Sequence, residues 1–317
     1  MARTPASGQQ HALRAGDYEA VVAGVGASLR SLTHRGRDLV VPFDADEVRP
    51  GFRGATLAPW PNRIVDGRYV FAGEEYQVAL TEPERGNALH GLLAWTEYTP
   101  IDKGPSHVTL AATIEPQVGY PWRVTVETSF TLSAEGLTQT VSARNESDTP
   151  APWGTGPHPY LVAGPGHVDD WTLALPAADV LEVTPDRLIP TRLSPVDVDA
   201  ERFDFREPRR LGAVQIDHAF TALQRDADAV ATVRVTDASG SGVALQWDES
   251  CPWVQIHTAD VDGDPGTPGY RAGLAVEPMT CAPDAFNAAA YDFDAGLQQL
   301  SPGTQHPPAS WRISAIA

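Results

Sequence analysis

Residues 122–132 read WRVTVETSFTL, and this stretch decides the fold class because apolar and polar side chains alternate along it. The apolar set is Trp122, Val124, Val126, Phe130 and Leu132, and the polar set is Arg123, Thr125, Glu127, Ser129 and Thr131. Successive side chains of a β-strand point to opposite faces of a sheet. The stretch therefore predicts a long strand with one face buried and the other exposed.

The same alternation recurs along the chain, with candidate strands at 18–23, 68–80, 107–114, 137–143, 171–175, 230–236, 243–247, 253–258 and 311–316. Ala72-Gly73 predicts a hairpin turn within 68–80. Long helical patterns are absent, one short helix is expected near Asp284, and 184–210 and 259–270 are expected to be long ordered loops. We predict an all-β fold, a large antiparallel β-sandwich that residues 1–317 form as a single domain, with about the first ten residues as a flexible tail.

Composition excludes several classes of partner. The formal net charge is −18, which disfavours nucleic acid and anionic membrane surfaces as partners. The N-terminal stretch has no apolar segment typical of a secretory signal, and no apolar run is long enough to cross a bilayer. Two cysteines, Cys251 and Cys281, indicate free thiols in a reducing compartment. We therefore expect a cytoplasmic protein that binds neither nucleic acid nor membrane.

Five separate stretches combine polar side chains with proline, glycine or apolar neighbours: PWPNRI (59–64), NALHGL (87–92), TGPHPYL (155–161), IDHAF (216–220) and GLAVEPM (273–279). In the third, Pro157 fixes its own φ and Pro159 pushes His158 into the extended region. A rigid segment aims the imidazole, which suits a reacting group but also an ordinary buried turn.

The residues alone leave each alternative open. Glu277 follows the apolar run 274–276 and is either a solvated strand end or a carboxylate held in a cleft, and the same holds for Asp217. His90 is either a satisfied core or turn residue or a functional one. Arg63 either serves a site or pairs with one of many acids.

The sequence lacks the motifs that are typical of other chemistries. His90, His158, Asp217 and Glu277 have metal-ligand side chains, but no H-x-H, H-x-x-x-H or C-x-x-C spacing occurs, so no metal is expected. The loop 260–265 resembles a calcium loop but has proline at the glycine position. Phosphate-binding glycine motifs and the G-x-S-x-G elbow are also absent, so no cofactor is expected.

Taken together and in sequence order, the motifs resemble those of the aldose 1-epimerase (galactose mutarotase) family, as a divergent bacterial-type member. The matching segments are Asn62-Arg63-Ile64 with Asp66-Gly67-Arg68-Tyr69, Asn87-Ala88-Leu89-His90-Gly91, His158-Pro159-Tyr160, Asp217-His218, Gln255 in its strand, and Glu277 with Pro283-Asp284-Ala285 and Asn287. Leu92, Leu161-Val162 and Ala219 depart from the family pattern and alter the expected pocket walls.

The resemblance implies a β-supersandwich whose concave face binds a free sugar, with Glu277 as general base and His158 as general acid. It further implies that Asn62, Arg63, His90, Asp217 and Gln255 bind the sugar. Such a pair interconverts α and β anomers by opening and closing the ring without a cofactor, with both pKa values expected near the working pH. Trp60, Trp95 and Trp153 lie near the motifs and suit either core packing or stacking on a sugar.

The expected activity is that of a mutarotase acting on a free, neutral aldohexose, in a monomer or homodimer. Two alternatives share the resemblance. One is a sugar-binding protein without catalysis, which would not need the acid–base pair. The other is a lyase or glycosidase on the same fold, for which Asp217 and Glu277 would supply two carboxylates.

Overall fold

A computed structural model describes residues 3–260, 265–267 and 269–317. Asp262 and Asp264 of the calcium-like loop lie outside these residues. Within them, the one α-helix, α1, spans only Ala200–Phe203, and short 3₁₀ helices span Pro50–Phe52, Val168–Asp170, Val196–Asp199 and Ala285–Ala290. No helix in the described ranges is long and apolar enough to span a membrane.

The remaining regular structure is strand. The strands before residue 155 are β1 (Gln10–Ala15), β2 (Tyr18–Ala23), β3 (Ser28–His34), β4 (Arg37–Asp38), β5 (Thr56–Leu57), β6 (Arg63–Val65), β7 (Arg68–Phe71), β8 (Glu74–Gln77), β9 (Asn87–Leu89), β10 (Thr99–Lys103), β11 (His107–Ile114), β12 (Val124–Ser133), β13 (Gly136–Asn145) and β14 (Ala151–Trp153). Those after it are β15 (Gly156–Pro157), β16 (Tyr160–Leu161), β17 (Thr172–Ala174), β18 (Ala177–Val183), β19 (Pro190–Pro195), β20 (Arg209–Arg210), β21 (Asp217–Leu223), β22 (Ala231–Thr236), β23 (Gly242–Trp247), β24 (Trp253–His257), β25 (Leu274–Met279), β26 (Gln298–Leu300) and β27 (Ala309–Ile316).

Antiparallel sheets dominate the architecture, which is a β-sandwich as predicted. A nine-stranded sheet has the order β10-β11-β12-β13-β27-β23-β22-β17-β20, and a six-stranded sheet has the order β16-β25-β24-β21-β18-β19. A four-stranded sheet, β1-β2-β3-β4, and four two-stranded pairs are the other sheets in the described part of the chain. Side chains from the three large sheets share one hydrophobic core, for example Phe130, Val276 and Leu32.

The stretch that predicted the fold class forms β12, between β11 and β13. Its burial alternates as expected: Val124, Val126 and Phe130 are buried, whereas Thr131 is exposed. Trp122 lies just before the strand and is buried with them. The hairpin predicted at 68–80 is also confirmed, as β7 and β8.

Several strands were missed because β-bulges interrupt their alternation. An extra residue stands unpaired at Arg30 in β3, at Ile101 in β10 and at Thr191 in β19. A bulge moves the side chains that follow it to the opposite face, so the period-two pattern breaks. The prediction of a loop at 184–210 was wrong for this reason in part, since β19, α1 and β20 lie within it.

Two smaller features concern the chain start and the cysteines. Ser7 is buried, and its amide and hydroxyl both donate to the Ala45 carbonyl. Cys251 and Cys281 are free and buried.

We expect Phe130→Ala to lower the free energy of unfolding by about 3–5 kcal/mol, because this fully buried ring fills the core of the sandwich. The neighbouring change Thr131→Ala, on the exposed face of the same strand, should change it by less than about 0.5 kcal/mol. Urea unfolding followed by circular dichroism measures both. Equal effects of the two substitutions would contradict the assignment of faces.

Candidate functional site

A cavity of about 230 Å³ lies on the face of the six-stranded sheet opposite to the core. Strand register explains which side chains line it. Gln255 of β24 lies directly opposite Glu277 of β25, and Asp217 of β21 lies opposite His257 of β24. Directly paired residues, and residues two apart on one strand, share a face of a sheet. These four side chains therefore point to the same space.

All seven residues predicted for the site line this cavity: Asn62, Arg63, His90, His158, Asp217, Gln255 and Glu277. They come from segments that are far apart in the sequence. The six-stranded sheet supplies the floor, and the β6–β9 pair with the His158 segment supplies the walls.

Asn62, just before β6, and His90, just after β9, are hydrogen-bonded to each other. Both have left-handed backbone, with φ values of 56° and 60°. The Asn62 amide donates to His90 Nδ1 (3.2 Å), and the His90 amide donates to the Asn62 carbonyl (2.8 Å). His90 Nδ1 is an acceptor, so the proton of the neutral ring is on Nε2. The next residue in the chain, Gly91, has to be glycine because a Cβ at this position would lie 2.1 Å from the Ala58 carbonyl oxygen.

His158 is fixed from both sides, as its two flanking prolines predicted. Its amide donates to the Ala55 carbonyl (3.1 Å), and its carbonyl accepts from the Gly54 amide (2.8 Å). Its ring stacks on Tyr160 with centroids 5.1 Å apart and meets His90 edge-on at 5.0 Å. The imidazole is thus positioned by backbone and aromatic contacts rather than by a mobile loop.

Glu277 and His158 meet inside the cavity, with Nε2 of the imidazole 3.5 Å from Oε1 of the carboxyl group. Their side chains are only 7% and 2% exposed, in that order. Glu277 lies within β25 rather than at its end. Of the two alternatives for this residue, the structure shows the carboxyl held in a cleft.

Burial shifts the two groups in opposite directions. Loss of solvent raises the pKa of Glu277 well above its usual value, and the charge of Asp217 adds to this while Arg63 opposes it. Burial lowers the pKa of His158 to about 3, with His257 acting in the same direction. The lowered pKa of His158 does not match the expectation of a value near the working pH. Burial favours the uncharged form of both groups, the protonated carboxyl and the neutral imidazole.

Buried polar atoms of this cavity have no hydrogen-bond partner within the described ranges. They are Glu277 Oε2, Gln255 Oε1, His158 Nδ1 and His257 Nδ1. More than nine in ten buried polar groups in proteins have partners, so such a cluster is unusual. The cavity is therefore suited to a ligand rich in hydroxyl groups.

Arg63 is held by an acid that the sequence did not reveal. Glu82 accepts from Arg63 Nε (2.8 Å) and from its terminal nitrogen (2.9 Å), and both side chains are less than 10% exposed. Arg85 and Asn87 also donate to Glu82. Arg63 thus pairs with an acid and also lines the cavity, and its role there stays a prediction.

Asp217 presents an ionised carboxylate at the other side of the floor. Burial raises its pKa, but His257, Arg63 and the Gln255 hydrogen bond (2.6 Å) together outweigh burial and lower it. Its neighbour His218 accepts from the Asp217 amide through Nδ1 (3.2 Å) and packs against Phe203. Asp217 is therefore a charged acceptor for hydroxyl groups.

Several lining residues were missed. His257 and Tyr160 each stand two residues after a predicted site residue, so strand parity alone could have indicated them. Phe52 ends a 3₁₀ helix with φ of 55°, and nothing in the sequence marks it. None of the three tryptophans near the motifs lines the cavity; Trp60 and Trp153 are buried.

A larger cleft of about 910 Å³ lies beside β7 and the 285–290 helix, but its buried acid is already satisfied. Asp284 accepts from the Val65 amide, Asn287 and Tyr291. The Pro283-Asp284-Ala285 motif thus has a structural role here. In residues 3–260, 265–267 and 269–317, no three or more histidine, cysteine, aspartate or glutamate side chains are placed so that they could hold a metal ion.

Replacing Glu82 should be costly because it leaves the Arg63 guanidinium buried without its charge partner. We expect Glu82→Gln to lower the free energy of unfolding by about 3 kcal/mol, measured by urea unfolding. Glu84→Gln, two residues away on an exposed side chain, is the matched control and should have no effect. Equal stability of the two variants would contradict the anchoring of Arg63 by Glu82.

Buried neutral histidines should make the protein less stable in acid. Burial and Arg202 lower the pKa of His218 to about 4. Between pH 6.5 and 4 the unfolded chain binds a proton that the folded one does not, so the free energy of unfolding falls as pH falls, by up to about 1.4 kcal/mol per pH unit. His218→Gln should flatten this dependence in urea titrations at pH 4.5, 5.5 and 6.5. Parallel curves for the variant and wild type would refute the assignment.

The chain is similar to known proteins over most of its length. The aldose 1-epimerase family matches residues 9–306 of the chain. The uncharacterized protein YihR of Escherichia coli K12 is 36% identical over 284 residues, which cover 89% of this chain and 87% of YihR. Galactose mutarotase of Mus musculus is 29% identical over 287 residues, covering 83% of this chain and 79% of that protein.

Solved structures show the same fold. The GalM/aldose epimerase homologue from C. elegans superposes with a TM-score of 0.81 at 21% identity, covering 98% of this chain and all of that one. Galactose 1-epimerase from Lactobacillus acidophilus gives a TM-score of 0.77 at 18% identity, covering 97% and 95%. The β-sandwich is therefore the galactose mutarotase-like fold, and with the family match over nearly its whole length, the chain belongs to the aldose 1-epimerase family.

Proposed function

We propose that the protein interconverts the α and β anomers of a free aldohexose, with Glu277 and His158 as the proton-exchanging pair. The observation that carries the proposal is their 3.5 Å contact inside a cavity of sugar size, away from bulk water. Ring opening needs a base at the C1 hydroxyl and an acid at the ring oxygen, and the pair supplies one of each. Family membership and the relatives named as galactose mutarotases support the same chemistry.

The reaction requires that the pair hold one proton between its two groups. Glu277 as carboxylate takes the proton of the C1 hydroxyl while His158 as imidazolium protonates the ring oxygen, so that the C1–O5 bond breaks and an aldehyde forms. Rotation about C1–C2 presents the other face of the aldehyde, and the reverse transfers close the ring. No electron is gained or lost, and no cofactor takes part.

Burial favours a neutral carboxyl group and a neutral imidazole, and these are the forms that the two groups take while the ring is open. Hydrogen bonds from the sugar replace part of the solvation that burial removed and bring the ionic form within reach. The unpartnered atoms Glu277 Oε2 and Gln255 Oε1 are suited to accept such bonds.

Arg63, Asn62, His90, Asp217 and Gln255 are proposed to bind the sugar hydroxyls. Their donors and acceptors are fixed by the partners described above, so little ordering is needed when the sugar binds. The rings of Phe52 and Tyr160 supply apolar surface beside the reacting pair. Arg63 is paired with Glu82, and the carboxylate of Asp217 would repel an anionic sugar, which favours an uncharged hexose.

We further propose a cytoplasmic location. Both cysteines are buried free thiols, the state that a reducing compartment maintains.

Glu277→Gln should reduce the rate of mutarotation roughly 10²–10⁴-fold, because the amide cannot take the hydroxyl proton. His158→Asn should act similarly, and both variants should retain sugar binding. Polarimetry of fresh α-D-glucose and α-D-galactose measures the rate, and isothermal titration measures binding. Glu249→Gln, an exposed glutamate, is the control and should match wild type.

Wild-type activity in the Glu277 variant would overturn the proposal. Sugar binding by the wild-type protein without any acceleration of anomer exchange would favour the sugar-binding alternative. Cleavage of a glycoside would favour the hydrolase alternative, in which Asp217 and Glu277 act as the two carboxylates.

A further inference from the structure

Arg49 is a buried cation whose hydrogen bonds, within the described part of the chain, all go to uncharged oxygen atoms. It is 4% exposed and lies just before the 3₁₀ helix Pro50–Phe52. Burial lowers its pKa to about 10. A buried charge without a counter-ion is costly, so an arginine at this position indicates a role that an apolar side chain would not fill.

The guanidinium ties two other parts of the chain to the segment 49–55. Its Nη1 donates to the Val25 carbonyl (3.1 Å) and to the Ser28 hydroxyl, and its Nη2 donates to the Ala94 carbonyl. The same group lies over the Trp95 ring, 4.5 Å from the ring centroid. A planar fork of donors that also stacks on an aromatic face is a combination that only arginine offers. The start of the segment 49–55 is thereby fixed in both position and direction.

The segment 49–55 forms one wall of the cavity that holds Glu277 and His158. Its Gly51 carbonyl accepts from the Tyr160 hydroxyl (3.0 Å). Residues at its end make the two backbone hydrogen bonds that hold His158. Any shift of the segment would therefore move the imidazole and the ring that stacks on it.

Phe52 links Trp95 to the two histidines of the cavity. Its ring centroid lies 5.4 Å from that of Trp95, 4.6 Å from that of His90 and 6.3 Å from that of His158. Its backbone is left-handed, with φ of 55°, which is strained for an aromatic residue and persists only where the surroundings impose it. The hydrogen bonds of Arg49 and the ring of Trp95 supply that constraint.

Arg49 and Trp95 are not among the residues that line the cavity, so neither is placed to contact a bound sugar. The charge of Arg49 is nevertheless close enough to act on the site. Burial is the main cause that lowers the pKa of His90 and of His158, and the charge of Arg49 contributes to both shifts. Arg49 therefore lies behind the wall and acts on the reacting pair only through other residues.

We propose that Arg49 is a positioning residue, which holds the His158 imidazole in place for proton transfer through Trp95, Phe52 and the segment 49–55. This inference rests on the proposed function for the reaction in which His158 takes part. The contacts that carry it do not depend on that function.

Three variants separate positioning from charge and from overall stability. Arg49→Lys keeps the charge but loses the planar fork and the stacking on Trp95. Arg49→Met removes both. Trp95→Leu breaks the path at a ring that is 54% exposed, so it should fold normally even where the arginine variants are unstable. Arg30→Met is the matched control, because the Arg30 guanidinium also bonds a backbone carbonyl, that of Phe43 (3.0 Å), and does not line the cavity.

Three measurements are needed for each variant. Anomer-exchange NMR with glucose and galactose gives kcat and KM separately. Thermal unfolding followed by circular dichroism gives Tm. The ¹H–¹³C signal of the His158 Cε1–H group reports the position of the imidazole without reference to activity, because this ring stacks on Tyr160 and Phe52.

We expect Arg49→Lys and Arg49→Met to lower kcat roughly 10–100-fold, since small displacements of a reacting group are costly. KM should stay close to that of wild type, because Arg63 and Asp217 are held by Glu82 and Gln255 rather than by this segment. Trp95→Leu should lower kcat without lowering Tm, and all three variants should shift the His158 signal. Arg30→Met should keep the kcat and the His158 signal of wild type even if its Tm falls.

Wild-type kcat in both Arg49→Lys and Trp95→Leu would overturn the positioning role, as would a change in KM alone. A loss of kcat in Arg30→Met as large as that in Arg49→Met would also overturn it, because general destabilisation would then explain both. Absence of anomer exchange in the wild-type protein would instead overturn the proposed function. In that case an unchanged His158 signal in Arg49→Lys and Trp95→Leu would still overturn the role of Arg49, and a shifted signal would support it.

Discussion

The candidate site depends on a carboxyl group that is held within a strand and largely out of water, with an imidazole nitrogen 3.5 Å away. Burial penalises the charged form of both groups, so it raises the pKa of the carboxyl group and lowers that of the imidazole. Contact with bulk water would return both pKa values toward their usual range. The two prolines beside His158 restrict its backbone, and the rings of Phe52 and Tyr160 stack against its imidazole.

Such a site is tolerated because its other charges are compensated. Glu82 accepts two hydrogen bonds from Arg63 and neutralises its charge. Asp217 accepts a hydrogen bond from Gln255, and the nearby Arg63 and His257 stabilise its negative charge. A buried charge without a partner would cost several kcal/mol, a large share of the stability of any protein. Four of the buried side-chain atoms without a hydrogen-bond partner in the described residues belong to this cavity, where hydroxyl groups of a ligand could satisfy them.

The charges around the cavity differ from those of the chain as a whole. The protein carries a net charge of −18, yet the cavity is lined by two arginines, Arg63 and Arg85, as well as by two aspartates, Asp217 and Asp260. Glu82 is paired with both arginines, and Arg271 is paired with Asp260. A cavity of this kind is suited to a ligand that is recognised by the geometry of donors and acceptors rather than by charge.

The sequence by itself determined the all-β class, because alternation such as that of residues 122–132 reports the two faces of a strand directly. It also determined the seven lining residues, through motifs whose order matches a family. Only the tertiary structure decided that Glu277 is buried within β25, that Glu82 pairs with Arg63 and that Phe52 lines the cavity. Those facts depend on strand register and on contacts between distant segments, and bulges such as those at Arg30, Ile101 and Thr191 erase the local pattern from which register could be read. Protonation likewise follows from burial, which no local stretch of sequence encodes.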